Sequence, residues 1–307
     1  MTGIKRSFKT EKEYREDKGI NFSKLAAFWH EGLYSPDHAL MTVEHKSYFE
    51  YGKAFESLLQ DTLKGTTEFA DQFFVTGVQG NVPDQLVGWI QNGVDLKTKI
   101  KYNKPKKDGT VERSGQHKTL HAFIDECLEN PGKIPLSVEQ AEMLNMHVER
   151  MCDMQFMGQK AGDILRKGEW QVGNKWTDDY DGLEKKALLD VLVDLGGLYM
   201  PIDLKTTANF NKFKWMLRDR YIFQDLHYVE GIEHLFGPSM KMIFFVASKE
   251  PPHLCTAWAS DFGFEDQLRE KPLNEYRELC ARYAMWDGAP RGWLPFQEMG
   301  LHPNFKL

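Results

Sequence analysis

A chain of 307 residues with a formal charge of −6 can bury a substantial core, as one large domain or two small ones. Its apolar share of 41% and aromatic share of 13% exclude wholesale disorder, and no apolar run approaches the roughly eighteen residues of a membrane span. The negative balance argues against a protein that coats nucleic acid non-specifically, yet it leaves room for an enzyme whose acids hold a metal beside a local basic lining.

Residues 1 to about 20 are charged and expected to be loosely ordered. They lack the apolar core of a secretion signal, so a cytosolic protein is expected. Ser23 can cap a helix through Phe28 and Trp29. Tyr48 to Leu63 reads as a helix whose stripe is Phe49, Ala54, Phe55, Leu58, Leu59 and Leu63. A short β-type run follows near Asp71 to Thr76.

Between Lys97 and Gly109 the chain is basic and ends in a turn signal. It is either a solvated loop or an arm in which Lys104, Lys106 and Lys107 meet nucleic-acid phosphates. Ser137-Val-Glu-Gln140 has the form of a capping box, and Met143, Met146, Val148 and Met151 continue a helix to about Met154. Methionine fills irregular gaps, so this stripe reads as core. A further helix should reach about Arg166.

From Glu169 the period shifts toward two. Strands are expected over Glu169 to Trp176, Lys185 to Leu195 and Leu198 to Thr206, with Gly196-Gly197 turning the last two into a hairpin. A helix over Lys212 to Phe236, broken near Asp219, comes next. Lys241 to Ser248 and His253 to Ala259 read as strands, and Phe264 to Met285 as a closing helix. With no internal repeat and no linker, residues 21–307 read as one α/β domain. It has a helical N-terminal region and a basic insertion near 97–118.

The hairpin carries the chemistry. Residues two apart on a strand point the same way, so Asp203 and Lys205 face one side while Leu204 faces the other. The turn returns the second strand so that Asp190 and Asp203 can approach. Two such carboxylates repel each other unless a cation lies between them. Held by acids with open coordination positions, Mg²⁺ can activate water and stabilise a phosphodiester under attack. Lys205 would then offset the developing negative charge. The four cysteines (Cys127, Cys152, Cys255 and Cys280) form no Cys-x-x-Cys pair, which is poor zinc or iron–sulfur spacing.

Asp203-Leu204-Lys205-Thr-Thr, then Tyr221-Ile-Phe-Gln224-Asp-Leu-His-Tyr228-Val-Glu-Gly231, then Ile243-Phe-Phe-Val-Ala-Ser248 together resemble the nuclease domain of the RecE-type exonuclease (exodeoxyribonuclease VIII). That domain belongs to the PD-(D/E)XK superfamily, with lambda exonuclease and the RecB-type nucleases. The resemblance covers roughly residues 20 to 285. It implies a central mixed sheet flanked by helices.

Carried over position by position, it implies that Asp190 and Asp203 are metal ligands, with the Leu204 carbonyl as a third and Lys205 as the catalytic lysine. Gln224 and Tyr228 match the Gln-x-x-x-Tyr helix motif that supports the site. Gly52-Lys-Ala-Phe-Glu56 resembles the glycine-plus-acid helix of lambda exonuclease, where the glutamate approaches the metal. RecE-type and RecB-type relatives tend to have histidine there, so Glu56 departs from the nearer pattern. Asn21-Phe-Ser23-Lys-Leu25 resembles an early serine motif in which a hydroxyl holds a terminal phosphate; simple helix capping is the alternative. Leu189 stands where the superfamily often has proline. His227, inside the Gln224–Tyr228 turn, points elsewhere on a helix and reads as structural.

The activity implied is a Mg²⁺-dependent DNA exonuclease, with Mn²⁺ as a substitute, working 5′ to 3′ on double-stranded ends to leave 3′ single strands for phage-type recombination. A homo-oligomeric ring, a single-strand annealing partner and a bacterial cytoplasm, of phage or prophage origin, are implied with it. The alternatives are a RecB-like nuclease with an iron–sulfur staple, an endonuclease of the same fold, or a non-catalytic DNA-binding module on a decayed nuclease fold.

Overall fold

The computed structural model describes residues 4, 6–30, 33–34, 47–78, 104–105, 111–112, 118–260 and 270–286. In chain order, α1 (Glu11–Glu16) and α2 (Phe22–Phe28) are followed by α3 (Ser47–Lys64), α4 (Glu68–Gln72) and strand β1 (Phe73–Val75). Then come α5 (Lys118–Glu129), β2 (Ile134–Leu136), α6 (Val138–Asp153) and α7 (Ala161–Lys167). Three long strands follow: β3 (Glu169–Thr177), β4 (Glu184–Asp194) and β5 (Tyr199–Thr207). The chain continues through α8 (Phe210–Met216), a wide π-turn (Leu217–Tyr221), α9 (Ile222–Leu235), β6 (Ile243–Ser248), β7 (Cys255–Ala259) and α10 (Glu270–Met285). No helix among the described residues is long and apolar enough to cross a membrane.

Where the sequence reading expects one domain, the chain groups into two compact units. One comprises 1–43, 163–250 and 256–307; the other comprises 44–162 and 251–255. Neither is continuous in sequence, so no linker composition could mark the division.

The first unit holds a five-stranded mixed sheet in the order β7-β6-β5-β4-β3. β3, β4 and β5 are antiparallel to one another in turn, while β5 and β6 are parallel. The β4–β5 hairpin turns at Gly196 and Gly197, both at positive φ (90° and 96°). The Asp194 carboxylate accepts both of their N–H groups at 2.8 Å, so a Cβ-free backbone and one acid fix the register. β6 is buried along its whole length, as a strand covered on both faces should be. The parallel connection from β5 to β6 runs through α8, the π-turn and α9.

The opening segment is more ordered than expected. Ser7 N–H donates to the Gly173 carbonyl, and Lys186 donates to the carbonyls of Tyr14 and Asp17 (2.5 and 2.6 Å). Its many charges misled composition-based reasoning, because a lysine from β4 takes up its free carbonyls. The cap of α2 is also corrected: the Asn21 side chain accepts the Lys24 N–H at 2.9 Å, so Ser23 lies exposed in the first turn rather than at the N-cap. α2 packs its Leu25 and Phe28 against Tyr276, Leu279 and Cys280 of α10.

The expected break near Asp219 is a π-turn in which Ile222 N–H reaches back five residues to the Leu217 carbonyl. A turn this wide keeps Phe213, Leu217 and Tyr221, four residues apart, all buried on one side. α9 crosses the sheet, and its Gly231 lies against the Trp176 indole of β3. A Cβ there would fall 2.6 Å from a ring carbon. Gly231→Ala should therefore lower stability by about 1–3 kcal/mol, despite alanine's better helix propensity. A raised or unchanged urea midpoint would contradict that close packing.

In the second unit α3 lies against α6, and Phe55 and Leu59 on the one and Leu144, Val148 and Met151 on the other are buried. The capping box at Ser137 is formed, with Ser137 Oγ accepting the Gln140 N–H and Gln140 Oε1 accepting the Ser137 N–H. Tyr51 of α3 and the buried His147 of α6 share a hydrogen bond of 2.8 Å. The β-run expected near Asp71 is shorter, since α4 continues to Gln72 before β1 pairs in parallel with β2.

Candidate metal centre and catalytic site

The β4–β5 ladder pairs Val191 with Ile202 and continues to Asp194 with Tyr199. Next in register stand Asp190 and Asp203, where side-chain chemistry replaces the ladder. Asp190 Oδ2 accepts the Leu204 N–H at 2.8 Å. In a strand the N–H and C=O of one residue point toward the same neighbour. The Leu204 carbonyl therefore faces the same gap as the Asp190 carboxylate.

Asp203 is buried, and its two oxygens have different surroundings. Oδ1 accepts from Gln224 Nε2 at 2.7 Å. Oδ2 forms an ion pair with the Lys205 ammonium. The Lys205 side chain is 26% exposed. Its ammonium also lies 5.7 Å from the Tyr221 ring centroid, placed there by the π-turn.

The electrostatics follow from burial. Desolvation, reinforced by the Asp203 charge, pushes Asp190 up to about 7. Burial works against the Lys205 ammonium, but Asp203 and Asp190 outweigh it and hold its pKa above the usual lysine value. Lys205 therefore stays cationic at neutral pH. Burial raises the Tyr228 phenol well above its ordinary value; the Tyr14, Asp203 and Asp190 charges add to this, while a Gln224 hydrogen bond opposes it.

Two neighbouring carboxylates, of which Asp203 raises the pKa of Asp190, and one main-chain carbonyl make a hard-oxygen donor set suited to Mg²⁺ or Mn²⁺. Among the described residues no group of three or more His, Cys, Asp or Glu is gathered to hold a metal. The donor set here is two carboxylates and a carbonyl.

α9 brings Gln224 to this gap, and its other polar residues fix the helix. Asp225, fully buried, accepts the Met242 N–H at 2.5 Å. His227, also fully buried, bridges the Tyr276 hydroxyl (2.9 Å) and the Lys186 carbonyl (3.0 Å). Burial lowers its pKa to about 3, so it is a neutral structural residue. Glu230 meets Lys185 at 3.1 Å, and Lys185, with no exposed side-chain surface, also pairs with Asp178 and Asp181. This buried knot was not legible in the sequence. Its members lie up to about 50 residues apart, on different elements, and no local spacing links them.

The other candidates are placed elsewhere. Ser23 lies one residue past Phe22, whose ring is 6.0 Å from the Arg220 guanidinium. Glu56 lies partly buried on α3, in the second unit. Lys104 begins a two-residue strand paired with Val111–Glu112, while Lys106 and Lys107 fall outside the described residues. The four cysteines form no disulfide with one another.

A carboxylate pair and a lysine at the opening of an antiparallel hairpin, in a mixed five-stranded sheet flanked by helices, define the PD-(D/E)XK nuclease fold. The chain belongs to the family described as PDDEXK-like domain of unknown function (DUF3799), whose model matches residues 44–287. A crystal structure from Eubacterium rectale, of a protein named Putative exonuclease, is similar at 12% identity. That match covers 90% of this chain and 84% of that one, with a TM-score of 0.49. No curated protein matches the sequence.

Proposed function

We propose that the chain is a divalent-metal-dependent deoxyribonuclease that digests duplex DNA from its ends, 5′ to 3′. The observation that carries this reading is the convergence of Asp190, Asp203 and Lys205 on one gap in the sheet. Asp190, Asp203 and the Leu204 carbonyl would hold Mg²⁺, or Mn²⁺ in its place, and the bound ion would supply an activated water and charge neutralisation at the phosphate.

The chain's own residues do the rest. Lys205, kept cationic by the acids, orients the attacking oxygen and offsets charge that grows on the phosphate. Gln224 donates to one oxygen of Asp203, and the other, now paired with Lys205, would be available to the ion. Tyr228, protonated throughout the physiological range, braces Gln224 and can donate to the strand. Glu56 is proposed as a further acid toward the metal. Ser23 and the lysines Lys104, Lys106 and Lys107 are proposed as phosphate contacts. End polarity, a ring-shaped homo-oligomer and a single-strand annealing partner rest on the resemblance to RecE-type exonucleases.

The test is a blunt linear duplex labelled at either 5′ end or 3′ end, with a closed circular duplex as control. Mg²⁺ should release 5′-terminal label first, EDTA should stop release, and the circle should stay intact. Cleavage of the circle would replace the exonuclease reading with an endonuclease of the same fold. No digestion of any duplex would reject the activity.

A further inference from the structure

The segment joining the catalytic strand to α9 has a second character that the metal centre does not use. Residues 210–221 carry four cations (Lys212, Lys214, Arg218 and Arg220) against one acid, Asp219, in a chain whose overall charge is −6. Trp215 stands in their midst, 61% exposed. Tryptophan is usually buried over most of its surface. Its indole lies 5.9 Å from the Arg218 guanidinium.

The fold exposes these residues by construction. Phe213, Leu217 and Tyr221 take the buried side of the segment, which turns Lys212, Lys214 and Trp215 outward. Both ends are tied to the catalytic strand. Asn209, two residues beyond Thr207 at the end of β5, caps α8 by accepting the Asn211 and Lys212 N–H groups. Tyr221 ends the segment beside Lys205. At 1.5 Å per helical residue, the rise from Trp215 to Tyr221, at the lysine end of the segment, is about 9 Å. That is a span of about three stacked nucleotides.

We infer that Trp215 and its flanking cations form a platform for single-stranded nucleic acid, stacking an unpaired base of the strand that lies in the metal centre. An exposed ring takes any base by its face, and neighbouring cations follow the phosphates without reading sequence. A duplex end has its bases stacked on one another. It presents no free face to the indole until a strand separates. The platform therefore selects the frayed or displaced strand at an end, and so defines which form of the substrate is held for cutting. An acidic protein partner would satisfy the cations but would leave the stacking ring without a specific role. This purpose rests on the nuclease reading; the binding itself does not.

The experiment measures binding without cleavage. Fluorescence anisotropy of a labelled oligothymidylate and of a blunt hairpin duplex is followed in EDTA. The proteins are wild type, Trp215→Ala, Trp215→Phe and Arg218→Glu. Trp215→Ala should weaken single-strand binding by about 5- to 100-fold, while duplex binding changes less than about twofold. Trp215→Phe should retain most of the affinity. Arg218→Glu should weaken binding and flatten its salt dependence.

Unchanged single-strand affinity in Trp215→Ala would overturn the inference. So would an equal loss for the duplex, which would make the face a general phosphate surface. A loss of self-association in that variant, with DNA affinity unaltered, would instead assign the face to a second copy of the chain. All four proteins should melt alike, since Trp215 supports no core. A failure of Mg²⁺-dependent digestion would reject the nuclease reading and leave the platform standing, because the two are measured separately.

Discussion

Lys205→Ala should cut the rate of Mg²⁺-dependent DNA hydrolysis by about 10²–10³-fold at saturating DNA, the cost of removing one preorganised charge donor from a reacting centre. Three observations set that magnitude. The ammonium is paired with Asp203, it is held cationic by two acids, and its side chain is 26% exposed. The loss should fall on kcat rather than KM, since a group that acts on developing charge is used mainly in the transition state. Lys205→Arg should recover part of the rate, because it keeps the charge but not the compact tip. Single-turnover digestion of an end-labelled duplex measures both. A rate within tenfold of wild type for Lys205→Ala would remove Lys205 from the chemistry.

Lys185→Met should lower stability by about 3 kcal/mol, the usual cost of breaking a buried pair by removing one partner. The ammonium has no exposed surface and is surrounded by Asp178, Asp181 and Glu230. Methionine fills the space but leaves three acids facing one another. Glu230 is 31% exposed, so water relieves part of its share.

The pH dependence separates this cause from simple packing. Burial already pushes Glu230 up to about 7, and Lys185 pulls against that shift. Without the lysine, the folded-state pKa stays above the unfolded one. Protons are then taken up on folding, so the variant is most stable below about pH 4.5 and loses stability as pH rises through 7. The gap between variant and wild type should thus widen from pH 5 to pH 8 in urea denaturation. A gap independent of pH would mean that the charges are not what the lysine holds together.

How much of this was legible in the sequence depends on distance along the chain. The β4–β5 hairpin was readable because Gly196-Gly197 and the alternating strands are local, and Asp203 and Lys205 share a face by strand geometry alone. Gln224 and Tyr228 were readable as an i, i+4 pair on a helix. The means by which α9 is held in place was not. His227, Asp225 and Glu230 each find partners in other elements, Lys186, Met242 and Lys185, which no spacing links. Tyr221 over Lys205 was also missed, because a sequence break near Asp219 suggests a kink and does not announce a π-turn. The cap of α2 was read two residues late, at Ser23 instead of Asn21, because both side chains suit that position and sequence alone does not set the boundary. The division into two units escaped because residues 251–255 return to the second unit from within the first unit's sheet.

The account depends on a divalent cation held between Asp190 and Asp203, and Mn²⁺ binding followed by electron paramagnetic resonance measures that without DNA or turnover. Wild-type protein should bind Mn²⁺, with Mg²⁺ competing for the same site, and Asp203→Asn should weaken the affinity at least about tenfold, as loss of one charged ligand from a hard-oxygen site requires. Equal Mn²⁺ affinity in wild type and Asp203→Asn, with both proteins folded, would contradict the proposed metal centre and the nuclease reading built on it.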